Sequence, residues 1–101
     1  MKMLLIVFRD SLEQEIHQQL KDLGIKAFTE APKLLGTGEA GTALNTFDWP
    51  GTNAMVFAVV EDGQATRVVQ GLKVLRERMS EQQHGAKIPM RVFVLPCEQV
   101  V

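Results

Sequence analysis

The fold is decided by residues 53–82, which read NAMVFAVVEDGQATRVVQGLKVLRERMSEQ. The run from Asn53 to Val60 is apolar after its first residue, has the length of a strand and contains three valines. Asp62 is then placed to cap the N-terminus of a helix. Beyond it, apolar residues recur three and four positions apart, as on the buried face of an amphipathic helix: Ala65, Val68, Val69, Leu72, Leu75 and Met79. The segment therefore predicts a buried strand followed by a helix that ends before Gly85.

The N-terminal segment has the same plan. Residues 2–8 form a run that is continuously apolar from Met3 onward, which is typical of a buried strand. Asp10 is a candidate N-cap, and Glu13 would complete a capping box three positions later. Gly24 is placed to end the helix in the left-handed conformation. The helix itself is predicted from the spacing of four apolar residues, Leu12, Ile16, Leu20 and Leu23.

Three further segments complete the order of elements. Residues 25–35 predict a second strand, in which Pro32 requires an edge, a bulge or a bend. Residues 36–51 contain four glycines and one proline and predict a long flexible loop. Residues 88–95 predict the last strand. This order predicts a single α+β domain over residues 1–101, a ferredoxin-like βαββαβ sandwich in which two helices cover one face of a four-stranded antiparallel sheet.

Composition limits the classes of function. The chain carries 11 basic and 12 acidic residues and a formal net charge of −1, which argues against nucleic acid as a partner. No apolar stretch reaches the roughly 18 residues that a membrane-spanning helix needs, so no membrane span is expected. Cys97 is the single cysteine, which excludes an internal disulfide bond and predicts a cytoplasmic location.

The predicted sheet is apolar on both faces. Two helices can cover only one face, and the other face should then carry polar residues. Instead, both faces are apolar over residues 3–8 and 54–60, and Arg91 is the one charged residue among positions 90–95. An uncovered face of this kind exceeds the roughly few hundred Å² of apolar patch found on monomers. We therefore expect a homo-oligomer in which these faces pack together; the alternative is that residues 36–51 fold over the face.

Four stretches of the sequence carry a likeness to a known family: Met1-Lys2-Met3-Leu4-Leu5-Ile6-Val7, Leu23-Gly24-Ile25-Lys26-Ala27-Phe28-Thr29, Gly36-x-Gly38 and Gly85-Ala86-Lys87-Ile88. Together they resemble the nitrogen regulatory P-II-like superfamily. The resemblance implies a homotrimer with inward-facing sheets and a small effector, such as ATP, ADP or AMP, bound in clefts between subunits. It also implies a signalling protein without catalysis, whose long loop contacts a partner protein such as a transporter or an enzyme.

The resemblance further implies ligand-binding residues. Gly36 and Gly38 match the glycines at the base of the family's long loop, where the backbone can approach a phosphate because no side chain intervenes. Gly85 and Lys87 lie in the segment that matches the family's phosphate-binding loop, and Lys87 matches the lysine of that loop. The chain has no tyrosine, so the modified loop tyrosine of the family is missing.

The tryptophan segment supports a second interpretation. Trp49-Pro50-Gly51 resembles the tryptophan-bearing hairpin of the CutA-like divalent-cation tolerance proteins, which share the architecture and the trimer. The alternative function is therefore a CutA-like divalent-metal-binding trimer. In either family, Trp49 is predicted to fill a hole between subunits or to contact a partner or a ligand.

No catalytic or metal-binding residue is predicted. Arg9 and Asn53 resemble an arginine and an asparagine of acylphosphatases, which share the fold, but the phosphate loop of those enzymes is absent around Arg9. His17, His84 and Cys97 are the soft metal donors, and none is paired with another at a ligand spacing. His17 is expected to be solvated on the polar face of the first helix.

Overall fold

A computed structural model describes residues 1–38, 41–43 and 52–101 of the chain. Among these residues, no helix combines the length and the apolar character needed to cross a membrane. The elements in chain order are β1 (Lys2–Arg9), a 3-10 turn (Asp10–Leu12), α1 (Glu13–Asp22), β2 (Thr29–Leu34), β3 (Gly36–Gly38), β4 (Gly41–Ala43), β5 (Asn53–Val60), α2 (Asp62–Gln82) and β6 (Met90–Pro96).

The main sheet has four antiparallel strands in the order β2-β5-β1-β6. The two middle strands, β5 and β1, are the two most apolar segments of the sequence. Side chains of α1 and α2 join alternate side chains of these strands in one buried core. The predicted ferredoxin-like α+β sandwich is therefore confirmed.

Successive side chains of β1 point alternately into the core and to the opposite face of the sheet, which the helices do not cover and which is called the open face below. Leu4, Ile6 and Phe8 are buried beneath the helices. Met3, Leu5 and Val7 alternate with them and are only partly buried. The register then builds rows of apolar side chains across the open face: Val59-Met3-Leu95 and Phe57-Leu5-Phe93. The sheet of a single subunit therefore has two apolar faces, as the sequence predicts.

The second strand begins later than predicted, at Thr29 rather than at residue 25. The N–H of Ile25 donates a hydrogen bond to the carbonyl of Leu20 at 2.9 Å, which ties Ile25 to the end of α1. Ile25 is also buried in the core. Residues 25–28 therefore return the chain from the helix to the sheet instead of pairing with it.

Pro32 lies in an edge strand, where the sequence predicted an edge, a bulge or a bend. β2 is the first strand of the sheet order. Its register with β5 shifts between Ala31 and Leu34, and Lys33 has a φ of 57°. The irregularity falls where proline cannot donate a hydrogen bond to the neighbouring strand.

Part of the predicted long loop is regular. β3 and β4 form a two-stranded antiparallel ribbon in which Gly36 pairs with Ala43 and Gly38 pairs with Gly41. Residues 39–40 and 44–51, including Trp49, lie outside the described residues. The extent and the flexibility of the loop over residues 36–51 stay predictions.

The predicted N-caps are wrong, whereas the predicted helix end is right. Asp10 begins the 3-10 turn, and its Oδ2 accepts hydrogen bonds from the N–H and the hydroxyl of Thr52, at 3.2 and 3.1 Å. Thr52 is buried, and its two hydrogen bonds occupy the Asp10 carboxylate. That carboxylate is therefore not available for a capping box with Glu13. Gly24 has a φ of +81°, the left-handed conformation predicted for it.

Asp62 is the first residue of α2, not its cap. The N-cap position is Glu61, which makes no side-chain capping hydrogen bond. The Asp62 carboxylate instead accepts a hydrogen bond from the amino group of Met1 at 2.7 Å. This hydrogen bond lowers the pKa of Asp62 below its ordinary value and raises the pKa of the amino group.

Gly71 lets the two helices approach each other. The sequence predicts a close approach of this glycine to the sheet, but the structure places it against α1. A Cβ atom at Gly71 would lie 2.8 Å from Cδ1 of Leu23 and 3.0 Å from Nε2 of Gln19. The prediction of a close approach is therefore right, and the predicted partner is wrong.

Substitution of Gly71 tests this helix contact. We expect Gly71→Val to lower the free energy of unfolding by about 1 kcal/mol, the lower end for overpacking, because the ends of the Leu23 and Gln19 side chains must move aside for the added atoms. Gly63→Val is the matched control in the same helix, since a Cβ at Gly63 meets nothing within 4 Å. Urea unfolding of both variants measures the difference, and equal stabilities would contradict the contact.

Candidate ligand-binding cleft

A cleft of about 960 Å³ opens at one end of the sheet. It lies between the C-terminal half of α2, the end of β1 and the start of β6. The residues that line it come from five segments of the chain: Val7, Phe8, Arg9, Gly36, Thr37, Asn53, Arg76, Glu77, Ser80, Glu81, Gly85, Ala86, Lys87, Ile88, Pro89, Met90 and Arg91.

Antiparallel pairing brings these segments together. Arg9, at the end of β1, pairs with Asn53 at the start of β5. Leu34, at the end of β2, also pairs with Asn53, so Gly36 follows at the same end of the sheet. A Cβ atom at Gly36 would lie 2.7 Å from Nδ2 of Asn53. Glycine therefore lets the backbone pass close to the Asn53 amide at the wall of the cleft.

The turn after α2 forms the opposite wall. His84 and Gly85 both have positive φ, at 58° and 83°. The Gly85 N–H donates a hydrogen bond to the Ser80 carbonyl at 2.8 Å, and the Ser80 hydroxyl donates one to the Ala86 carbonyl at 2.8 Å. This pattern reverses the chain at the helix end and presents Lys87 to the cleft.

The structure brings together three of the four ligand-binding residues named from the sequence. Gly36, Gly85 and Lys87 all line the cleft, although about 50 positions separate the first from the other two. Gly38 lies at the far end of β3, where it pairs with Gly41, and its part in the cleft stays a prediction. Trp49 lies outside the described residues.

The cleft concentrates positive charge. Arg9, Arg76, Lys87 and Arg91 line it, against the two carboxylates of Glu77 and Glu81. These described residues carry a formal charge of +2, whereas the whole chain carries −1. Such a wall attracts an anionic group, and arginine in particular can donate two parallel hydrogen bonds to a phosphate or a carboxylate.

Sequence reasoning missed two basic residues of the cleft. Arg76 lies on the polar side of α2, where a charged residue looks like an ordinary solvated one. Arg91 carried a weak signal, since it is the one charge among the apolar positions of β6. Arg9 and Asn53, noted for their likeness to acylphosphatase residues, are neighbours in the sheet and belong to this same cleft.

The sequence predicts a solvated His17, and the structure shows a side chain that is only partly solvated, with 37% of it exposed. Its Nε2 lies 2.8 Å from Oε1 of Glu30. Its ring lies 5.5 Å from the ring of Phe28, centroid to centroid. The predicted position on α1 is right, but the start of β2 packs beside that face of the helix and half buries the imidazole.

Comparison with known families supplies a match along the whole chain. The family model described as "Nitrogen regulatory protein P-II" matches residues 1–101. No curated protein sequence matches significantly.

Solved structures show the same fold. CPII, a nitrogen regulatory PII-like protein from Thiomonas intermedia K12, was solved bound to ADP, AMP and bicarbonate. It is 21% identical, with a TM-score of 0.70 over 92% of this chain and 81% of that chain. A PII-like signalling protein from Thermus thermophilus is 22% identical, with a TM-score of 0.60 over 92% of this chain and 82% of that chain. The apo form of CPII is 19% identical, with a TM-score of 0.63 over 92% of this chain and 84% of that chain.

Proposed function

The chain belongs to the nitrogen regulatory protein P-II family, and from that premise we propose that it is a cytoplasmic, non-catalytic signalling protein that binds an adenine nucleotide in the cleft. The observation that carries this proposal is the convergence of Gly36, Gly85 and Lys87 on one basic cleft. The phosphate groups of ATP, ADP or AMP are the anions that such a cleft suits.

The walls of the cleft suit a nucleotide in complementary ways. Lys87 and Arg91 offer positive charge to the phosphates, and the Asn53 amide, which packs against Gly36, adds a polar group to the same wall. Val7 and Pro89, which are not buried in the core, add apolar surface, as in most small-molecule sites. ADP and AMP are the ligands named for CPII, and we propose the same ligand class for this chain.

The assembly that we propose is a homotrimer with the open sheet faces turned inward. The support is the apolar surface that a single subunit leaves uncovered, of which Val59, Phe93 and Leu95 are each more than 40% exposed. Burial of such a face is the main favourable term in subunit association. The cleft at the end of the sheet would then lie beside a neighbouring subunit, which completes the nucleotide site.

Signalling would pass through the segment that begins at Gly36. Gly36 and Thr37 line the cleft and lead directly into residues 38–51. A ligand that binds one arrangement of this segment more tightly than another shifts the population between them. We propose that this shift changes the contact with a partner protein, such as a transporter or an enzyme.

A thermal-shift assay with ATP, ADP and AMP tests the proposed ligand. At a ligand concentration of 100 times Kd, binding to the folded state stabilises it by about 2.7 kcal/mol. We therefore expect a rise in Tm of several degrees with at least one adenine nucleotide, and a smaller rise with guanine nucleotides at equal concentration. A Tm unchanged by all three adenine nucleotides would overturn the nucleotide proposal.

The alternative function, a CutA-like divalent-metal-binding trimer, shares the assembly and differs in the ligand. Its sequence support is Trp49, which lies outside the described residues. The same assay separates the two functions, because the CutA-like alternative needs no response to adenine nucleotides.

A further inference from the structure

A second group of ligand atoms lies away from the nucleotide cleft, where the start of β2 packs against α1. Glu13 and His17 are four positions apart on α1, and Glu30 faces them from β2. The His17 Nε2 lies 2.8 Å from Oε1 of Glu30 and 3.9 Å from Oε1 of Glu13. The three donor atoms all lie within 4.8 Å of one another.

The position of Glu30 in the sheet is unusual for a carboxylate. Glu30 pairs with Val56, whose side chain is fully buried, so Glu30 projects to the face that the helices cover. Its side chain is 18% exposed. Removing a carboxylate from water to this extent is unfavourable unless a positive or polar partner compensates for it. The His17 imidazole supplies part of that compensation, and a cation would supply more.

The chemistry of the three donors selects a class of cation. Imidazole with carboxylates suits Zn²⁺ and its first-row neighbours, whereas Mg²⁺ and Ca²⁺ prefer sites made of oxygen ligands. Around a tetrahedral Zn²⁺, with bonds of about 2.1 Å, neighbouring ligand atoms lie about 3.4 Å apart. The distances from His17 Nε2, 2.8 Å to Oε1 of Glu30 and 3.9 Å to Oε1 of Glu13, lie on either side of that separation. Small side-chain rotations would therefore place all three atoms around one ion.

The surroundings hold the histidine in place for such a role. The tilted ring of Phe28 lies against the imidazole of His17 and restricts its rotation. Glu13 and His17 project from a helix, and Glu30 from a strand, so the backbone positions of all three are set by regular structure. Three protein ligands leave the fourth position of a tetrahedral ion open to water or to a further ligand.

We propose that Glu13, His17 and Glu30 form a binding site for Zn²⁺ or a similar first-row divalent ion, which joins α1 to the edge strand β2. The site is independent of nucleotide binding in the cleft and uses none of the cleft residues.

Zinc titration of the folded chain tests this site. Isothermal titration calorimetry, with competition against a chromogenic chelator, should give one Zn²⁺ per subunit. We expect His17→Ala and Glu30→Gln each to weaken binding by at least about a hundredfold, because loss of an outer-shell partner alone costs about 10–100-fold. Glu13→Gln should also weaken binding and should leave the fold intact, because nearly half of the Glu13 side chain (46%) is exposed.

Three matched controls separate the proposed site from other donors. His84→Ala and Cys97→Ser remove the remaining soft donors, and Glu15→Gln removes an exposed α1 carboxylate outside the cluster. All three should bind Zn²⁺ like the unaltered chain. No binding by the unaltered chain, or binding lost with His84→Ala and retained with Glu13→Gln, would overturn the proposal.

Discussion

Phe93→Glu is expected to convert the proposed trimer into folded monomers. Phe93 lies halfway along β6, at one edge of the open face, at the end of the row Phe57-Leu5-Phe93, and is 47% exposed in the single subunit. A carboxylate there meets water in the monomer but is buried without a partner in the trimer. The cost to association is about 3 kcal/mol per subunit, which is roughly a hundredfold in an equilibrium constant. Sedimentation velocity at micromolar concentration measures the change.

Val74→Glu is the control for this substitution. Val74 is 51% exposed, but it lies on α2, in the layer opposite the open sheet face. The same carboxylate should leave the assembly unchanged there. A stable monomer for the unaltered chain would overturn the inward-facing trimer and would favour the alternative in which residues 36–51 cover the face. A trimer that survives Phe93→Glu would contradict the proposed packing.

Lys87→Ala is expected to weaken adenine-nucleotide binding by about tenfold to a hundredfold. Lys87 lines the cleft from the turn that the Ser80 hydroxyl holds in place. A hydrogen bond to a charged group contributes about 1.5–3 kcal/mol, which corresponds to that range of affinity. Calorimetric titration with ADP measures the effect, and the loss should shrink as salt concentration rises, because salt screens the charge.

Lys73→Ala is the matched control for the lysine substitution. Lys73 is an exposed lysine of α2 that does not line the cleft. Removing it should change the net charge by the same amount and leave the affinity for ADP nearly unchanged. Equal effects of the two substitutions would mean that general charge, not the cleft, attracts the nucleotide.

The elements of the fold were largely predictable, because hydrophobic runs report burial directly. The bounds of β5, Asn53–Val60, are those that its apolar run predicts. β2 was less predictable, because Ile25 is apolar for a different reason: it packs into the core at the end of α1. Hydrophobicity marks a residue as buried without saying which element buries it.

Local capping rules failed where a distant residue competed for the same side chain. Asp10 has the spacing of an N-cap, but its carboxylate instead accepts hydrogen bonds from Thr52, which lies 42 positions away in the sequence. Gly71 likewise marks a close approach, and only the packing of the helices shows that Leu23 is the neighbour. Both failures arise because a sequence pattern records a local preference and not the competing tertiary contact.

The candidate site was predictable only through resemblance. Gly36 and Lys87 were named because they match family motifs, and nothing in their local sequence indicates that they share a cleft. Arg76 and Arg91 were missed because an isolated arginine on a helix or a strand is ordinary. The Glu13, His17 and Glu30 cluster was missed for a similar reason, since its third member lies on another element.

The sequence by itself determined β1, β5, β6, the two helices and the two apolar faces of the sheet, because the spacing of buried residues along each of these elements shows in the sequence. The tertiary structure decided which residues meet. The register of β1 with β5 and of β2 with β5 places Arg9, Asn53 and Gly36 at one end of the sheet. The same register turns Glu30 toward His17. A shift of one residue would turn each strand's side chains to the opposite face, so the sites depend on pairings between distant segments that no local pattern encodes.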